Sequence, residues 1–250
     1  MLELEGKTAL VTGAARGIGK GIALVLAEKG ADLIINDKRM NFEGEAVAAQ
    51  IRAMGRQATL IEADVSEATD VNRMFGVIGE RFGRLDILVN NAGTSQAKDI
   101  FEATLDDWQF ILNTNLTSCF LCAKQAMDIM SRQRSGRIIN ISSVVGERGA
   151  LFGHVHYAAT KSGMLGLTKT LARTGAPLGI TVNAVAPGII ETELLLKTHG
   201  VDGVEKLCKT IPMGLGKPRS VGLAVAFLCG EGGDYITGTT IDVNGGFNMR

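Results

Sequence analysis

The segment His156-Tyr157-Ala158-Ala159-Thr160-Lys161-Ser162 places a phenol and an ammonium four residues apart. On a helix, side chains at i and i+4 share a face, their Cβ atoms about 6 Å apart. A neighbouring cation favours the phenolate, and an unperturbed tyrosine, with a pKa of about 10, is a poor base at neutral pH. Such a pair could therefore pass a proton to or from a bound oxygen. The same spacing also describes a half-buried tyrosine beside a solvated lysine, so its meaning depends on what surrounds it. Ser142 and Ser143 follow an apolar run, and Asn113 and Asn115 interrupt a helical one. Each taken alone reads as a packing or strand-end polar residue.

A second constellation lies near the start: Thr12-Gly13-Ala14-Ala15-Arg16-Gly17-Ile18-Gly19, between the β-branched run 8–12 and a helical pattern through Ile18, Ile22, Val25 and Leu26. Glycines let the backbone turn sharply and approach a pyrophosphate. The helix start adds N–H groups and partial positive charge. A second apolar run ends at Asn36-Asp37, about 20 residues past the turn, where an acidic side chain accepts hydrogen bonds from an adenosine ribose. Asp37 would repel a 2′-phosphate, which favours NAD over NADP. Arg16, Lys38 and Arg39 are the side chains that could pair with that phosphate instead.

Both constellations need a scaffold, and periodicity supplies one. Strand-like runs occur at Thr8 to Thr12, Leu33 to Asn36, Ala58 to Glu62, Ile87 to Asn90, Arg137 to Ile141, Thr181 to Val185 and Thr240 to Val243. Helically spaced apolar residues fill the gaps, among them Val47, Ile51 and Met54, then Val71, Met74, Phe75 and Ile78. This alternation predicts an α/β fold of Rossmann type, a doubly wound, seven-stranded parallel sheet flanked by helices, with its ligand beyond the carboxyl ends of the strands. No linker or repeat divides the chain, so residues 1–250 are expected to form a single dinucleotide-binding and catalytic domain.

Composition narrows the function classes. Lys+Arg and Asp+Glu both total 26, so no net field recruits nucleic acid. No apolar run approaches the ~18 residues of a membrane span, and the start Met1-Leu2-Glu3-Leu4-Glu5 lacks a secretory pattern. The expectation is a cytoplasmic protein acting on a small molecule. Cys119, Cys122, Cys208 and Cys229 are too few for a disulfide scaffold. Cys119 and Cys122 have redox or metal spacing, but their apolar helical context points to packing.

Taken together, these motifs resemble the short-chain dehydrogenase/reductase family over nearly the whole chain. The turn TGAARGIG matches its TGxxxGxG pattern, Asn90-Asn91-Ala92-Gly93 its NNAG segment, and Tyr157 with Lys161 its YxxxK pair. The resemblance implies Asn115, Ser143, Tyr157 and Lys161 as the catalytic set, although Ser143 and Tyr157 stand 14 apart, one more than the commonest spacing. In that mechanism Tyr157 exchanges the proton, Lys161 lowers its pKa and binds the nicotinamide ribose, Ser143 holds the carbonyl oxygen, and Asn115 holds a water. Cofactor contacts are implied at Gly13, Arg16, Gly17, Ile18, Gly19, Asp37, Asp64, Val65, Asn91, Ala92, Gly93, Pro187, Gly188, Ile190 and Thr192, besides Tyr157 and Lys161. Pro187-Gly188 is expected to be a turn, and residues 189–211 a substrate lid. The lid carries Leu194, Leu195 and Leu196 together with Glu191, Glu193, Lys197 and His199, and Gly200 and Gly203 offer hinges.

The resemblance also implies a homotetramer, with helices from about Thr104 and Val155 at one interface and Thr240 to Arg250 at another. The first expectation for substrate is a sugar, polyol or other small secondary alcohol or ketone. The alternative is a 3-oxoacyl carrier-protein reductase using NADPH. Arg134 matches one carrier-docking position of those enzymes, while Leu178 replaces the basic residue of the other. A more distant reading is a non-catalytic nucleotide sensor. His154 and His156 stand where they could face a substrate, and Gly175 sits late in the Tyr157 helix without a sequence-level reason.

Overall fold

The computed structural model describes residues 2–39, 41–151 and 153–249, apart from the side chains of Leu194, Lys197, Thr198 and His199. Strands and helices alternate along the chain: β1 (Thr8–Thr12), α1 (Gly17–Glu28), β2 (Asp32–Asp37), α2 (Phe42–Ala53), β3 (Ala58–Glu62), α3 (Ala68–Phe82) and β4 (Ile87–Asn90). There follow α4 (Leu105–Leu112), a π-helical turn at Asn113–Thr117, α5 (Ser118–Gln133), β5 (Gly136–Ile141), α6 (Val145–Arg148) and α7 (Val155–Gly175). The chain closes with β6 (Ile180–Pro187), α8 (Glu193–Cys208), α9 (Pro218–Cys229) and β7 (Thr240–Val243).

Among the described residues, seven strands form one sheet in the order β3-β2-β1-β4-β5-β6-β7, and every pairing is parallel. The chain builds outward from β1 to β3, then returns to the other side of β1 as β4. The reversal opens a crevice beyond the carboxyl ends of β1 and β4, where a doubly wound sheet binds its ligand.

Both sheet faces are buried, so the strands are almost uniformly apolar and their side chains divide by parity. Ala9, Val11, Leu33, Ile35, Ile87, Val89 and Ile139 join the core formed with α1, α2 and α9. Leu10, Ile34, Leu88 and Ile138 join the core formed with α3 and α5. Each such Leu or Ile contributes about 1.5–3 kcal/mol on burial. A one-residue slip in register would exchange the two cores.

Three sequence expectations are refined by the structure. Pro187 ends β6 opposite Val243 and is not part of a turn; its carbonyl accepts the Val144 N–H at 2.9 Å. Proline is tolerated at that last position because its missing N–H breaks only one ladder bond. Gly175 closes α7, and a Cβ there would lie 3.0 Å from the Ile180 carbonyl oxygen, so glycine lets the helix end settle on β6. Cys119, Cys122 and Cys229 are buried free thiols, and burial pushes Cys119 and Cys229 up to about 12. Among the described residues no His/Cys/Asp/Glu group could hold a metal, and no helix is long and apolar enough to cross a membrane.

Candidate active site

The crevice at the switch point has two halves. In the first, β1 runs into Gly13 and Gly17, with φ of +62° and +54°, backbone that a Cβ would strain. Arg16, at the start of α1, makes no side-chain cap, and the first turn carries no acidic residue. By contrast Asn41, Thr104 and Thr192 cap α2, α4 and α8. The first-turn amides of α1 carry no side-chain cap, and such amides can receive an anion. Ile18 packs against the first core.

Asp37, at the carboxyl end of β2, accepts the Ala15 N–H at 3.3 Å on one oxygen and the Lys38 N–H at 2.8 Å on the other. It lines a cavity of about 330 Å³ together with Ala15, Arg16, Lys38 and Arg39. Lys38 turns away from Asp37, its Nζ pairing with Asp64 at 2.6 Å. Burial raises the Asp64 pKa, but hydrogen bonds from Lys38 and Ser66 outweigh it and hold the carboxyl below its usual value. Val65 is buried in the second core. The side chain of Ile190 is also buried, in the first core, so any cofactor contact by either residue must come from the backbone.

Asn91 fastens this half to the other. Its Nδ2 donates to the carbonyls of Thr12 and Gly13 at 2.9 and 3.0 Å, while Thr12 Oγ1 accepts the Asn91 and Ala92 amides, each at 3.0 Å. A Cβ on Gly93 would meet Asn115 Oδ1 at 3.1 Å, and Thr192 lies against Gly17. A positive-φ glycine turn, an uncapped helix start and an acidic strand end are what a nicotinamide dinucleotide requires, so these residues fit it.

In the second half, α7 presents Tyr157 and Lys161 on one face, with Nζ 5.6 Å from the phenol ring centroid. Lys161 is buried, and its ammonium donates to the Ile141 carbonyl at 2.7 Å. Burial lowers its pKa to about 8, partly opposed by Cys119. Ser143 hydrogen-bonds the Tyr157 phenol, and its Oγ also accepts the Val145 N–H at 3.1 Å. Ser142 instead donates to the Lys161 carbonyl at 2.8 Å. The two adjacent serines therefore have separate roles, one facing the phenol and one fastening α7 to β5.

Two side chains have surroundings that their spacing alone does not disclose. Burial raises the Tyr157 pKa and the Ser143 bond partly offsets it. Asn115 lies on the π turn, a form often found at functional sites, and its side chain is fully engaged by neighbouring chain. Its Oδ1 accepts the Thr94 N–H at 2.8 Å, and its Nδ2 donates to the Thr94 carbonyl at 2.9 Å and to Thr160 Oγ1 at 3.2 Å.

Thr160 is a residue that sequence reasoning missed. Fully buried, it donates to the Tyr157 carbonyl at 2.8 Å and joins Asn115 to the tyrosine helix. Its only sequence signal is a hydroxyl at i+3 from Tyr157, the back-bonding position. His154 has a left-handed φ of 57° and bonds Ser95 Oγ through Nδ1 at 2.8 Å, its ring edge-on to Tyr157. His156 is buried. Gly188 packs on Asn244, where a Cβ would lie 2.8 Å from the Asn244 Cα. The 189–211 segment is largely α8, broken at Gly200 by a φ of 63°; Leu196, Glu191 and Glu193 are exposed and Leu195 is half-buried. The side chains of Leu194, Lys197 and His199 lie outside the described residues.

Comparison with known proteins agrees with this geometry. A protein-family model described as enoyl-(acyl carrier protein) reductase matches residues 13–248. A 3-oxoacyl-[acyl-carrier-protein] reductase of Synechocystis sp. is 41% identical over 251 aligned positions, covering 100% of both chains. The corresponding Staphylococcus aureus reductase is 43% identical over 244, covering 97% of this chain and 98% of that one. A crystal structure of a short-chain type dehydrogenase/reductase from Mycobacterium marinum superposes with a TM-score of 0.94 at 33% identity, covering 100% of this chain and 98% of the other. With its parallel sheet, its glycine turn and these full-length matches, the chain belongs to the short-chain dehydrogenase/reductase family of NAD(P)-dependent oxidoreductases.

Proposed function

We propose that this enzyme reduces the 3-oxo group of a 3-oxoacyl thioester. The observation that carries the reading is the end-to-end identity of 41–43% with proteins named 3-oxoacyl-[acyl-carrier-protein] reductase. At neutral pH the Tyr157 phenol is protonated, the form that donates in the reductive direction. When bound, the nicotinamide supplies the hydride that the carbonyl carbon accepts. Tyr157 gives its proton to the carbonyl oxygen, and Ser143 donates a hydrogen bond to the same oxygen as charge develops there. Lys161 holds a positive charge near the phenol ring and would hold the nicotinamide ribose. Asn115 and Thr160 fix the loop after β4 and the start of α7 relative to each other.

Glycine-turn residues 13–19, with Asp64, Val65, residues 91–93, Pro187, Gly188, Ile190 and Thr192, form the dinucleotide cleft. Asp37 selects NADH: its carboxylate is anchored by two backbone amides, and Lys38 is drawn off to Asp64. Residues 189–211 act as the lid over the substrate, hinged at Gly200.

One observation favours a second reading, a free small alcohol or ketone with no carrier protein. Leu178 packs against the second core, so of the two carrier-docking positions only Arg134, exposed and donating to the Pro177 carbonyl at 3.0 Å, carries a charge. Steady-state kcat/KM for an acetoacetyl thioester and for a polyol panel, each with both cofactors, decides between them. Thioester reduction with NADH should lead by at least tenfold, and Asp37→Ala should narrow the cofactor preference. Faster polyol oxidation would overturn the substrate, and a clear NADPH preference would overturn the role of Asp37.

The assembly we propose is a homotetramer. Phe101, Leu105 and Phe110, 95%, 79% and 48% exposed, crowd the surface around α4, and Met249 is exposed at the carboxyl end. Single exposed apolar residues are ordinary, but a cluster marks a protein contact. Light scattering should return the mass of four chains; the mass of one would reject the assembly.

A further inference from the structure

The N-terminus of α7 lacks the usual cap. Its N-cap residue, His154, is left-handed and makes no side-chain cap bond, and no acidic residue stands in the first turn. One orphan amide belongs to Tyr157 itself, and it is satisfied from an unusual direction: Tyr157 N–H donates to His156 Nδ1 at 3.0 Å. On the other side of the ring, Nε2 lies 3.2 Å from Gln96 Oε1, on the loop after β4. Accepting at Nδ1 and donating at Nε2 requires the neutral imidazole with its proton on Nε2. The residue is only 1% exposed, so both bonds are made away from bulk solvent.

We infer that His156 is a positioning residue for Tyr157, a neutral imidazole that caps the tyrosine helix, ties it to the loop after β4, and releases the tyrosine when protonated. The inference rests on the reading of Tyr157 as proton donor. A second proton on the ring would occupy Nδ1, expel the Tyr157 amide and place a cation at the positive end of the helix dipole. The charged groups facing His156 are Asp107, from α4, and Lys98, from the loop after β4. They pair with each other at 2.7 Å, so neither imposes its full charge on the ring. Burial is the largest influence and, with Lys98, lowers the His156 pKa against the pull of Asp107. Because the folded value is depressed, the contribution of His156 is complete above the ordinary value of about 6.5 and fades as pH falls through the folded value beneath it.

Two measurements on the full-length protein test this. The first is amide hydrogen exchange at residue 157 without cofactor or substrate; the second is kcat against pH for carbonyl reduction. His156→Asn puts Oδ1 where Nδ1 was and cannot titrate. It should keep slow exchange and near-normal kcat at neutral pH while losing the activity decline that sets in on the acid side of the ordinary imidazole value. His156→Ala should speed exchange and lower kcat about tenfold, the factor expected for an ordinary lost cap, with KM within about twofold. Unchanged exchange in His156→Ala, or an intact acidic decline in His156→Asn, would overturn the inference. If Tyr157→Phe retains turnover while the exchange results hold, the proton-donor reading fails and the helix cap stands.

Discussion

Tyr157→Phe lowers kcat by about 10²–10⁴, the range supplied by general acid catalysis, with cofactor affinity within about twofold of the parent. The substitution removes one O–H and nothing else. The ring stays half-buried on α7, edge-on to His154 and near the Lys161 ammonium. The hydrogen bond with Ser143 is lost, a change of about 1 kcal/mol in stability. Chemistry and binding separate because the dinucleotide half of the crevice is built from β1, β2 and α1, which do not depend on the phenol. Nicotinamide absorbance measures turnover, and a fluorescence titration measures cofactor affinity. A variant turning over within tenfold of the parent would refute Tyr157 as the proton donor.

Gly19→Ala should nearly abolish cofactor binding and cost at least 1–3 kcal/mol in stability, the usual range for forcing extra atoms into a packed interior. A Cβ at this position would sit 2.2 Å from the Gly13 carbonyl oxygen and 2.5 Å from Asn91 Nδ2. The first of these is backbone, and the second is the amide that bridges the Thr12 and Gly13 carbonyls. Neither can yield without reshaping the turn that must receive the pyrophosphate. Gly76 on α3 is the matched control, because a Cβ there meets nothing within 4 Å. Gly76→Ala should leave binding untouched and raise stability by up to about 1 kcal/mol. Thermal denaturation and cofactor titration of both variants make the comparison. Wild-type melting and affinity in Gly19→Ala would show that the close approach to Gly13 is not essential.

The fold was legible because its signals are local. Parity along a buried strand and 3.6-residue spacing along a helix are set by backbone geometry, so Thr8 to Thr12 and Val71 to Ile78 announce themselves within a few residues of chain. The order of the sheet follows from right-handed crossovers acting on those pieces. The glycine turn and the Tyr157/Lys161 spacing are legible for the same reason. Strand ends were less so: whether Pro187 closes β6 or opens a turn depends on Val144 and Val243, partners that only the folded sheet brings to it.

The site divides along the same line. Sequence by itself determined which residue types stand at which strand and helix ends, and hence the family and the kind of chemistry. Only the tertiary structure decided what each group bonds to: Ser142 fastened to the Lys161 carbonyl, Asn115 committed to Thr94, Lys38 drawn from Asp37 to Asp64, and His156 closing a helix that lacks an ordinary cap. It also showed that burial raises the Tyr157 pKa although a cation sits one helical turn away. Burial and hydrogen-bond partners are supplied by residues tens of positions distant, and these two influences decide whether a phenol beside an ammonium holds its proton or gives it up.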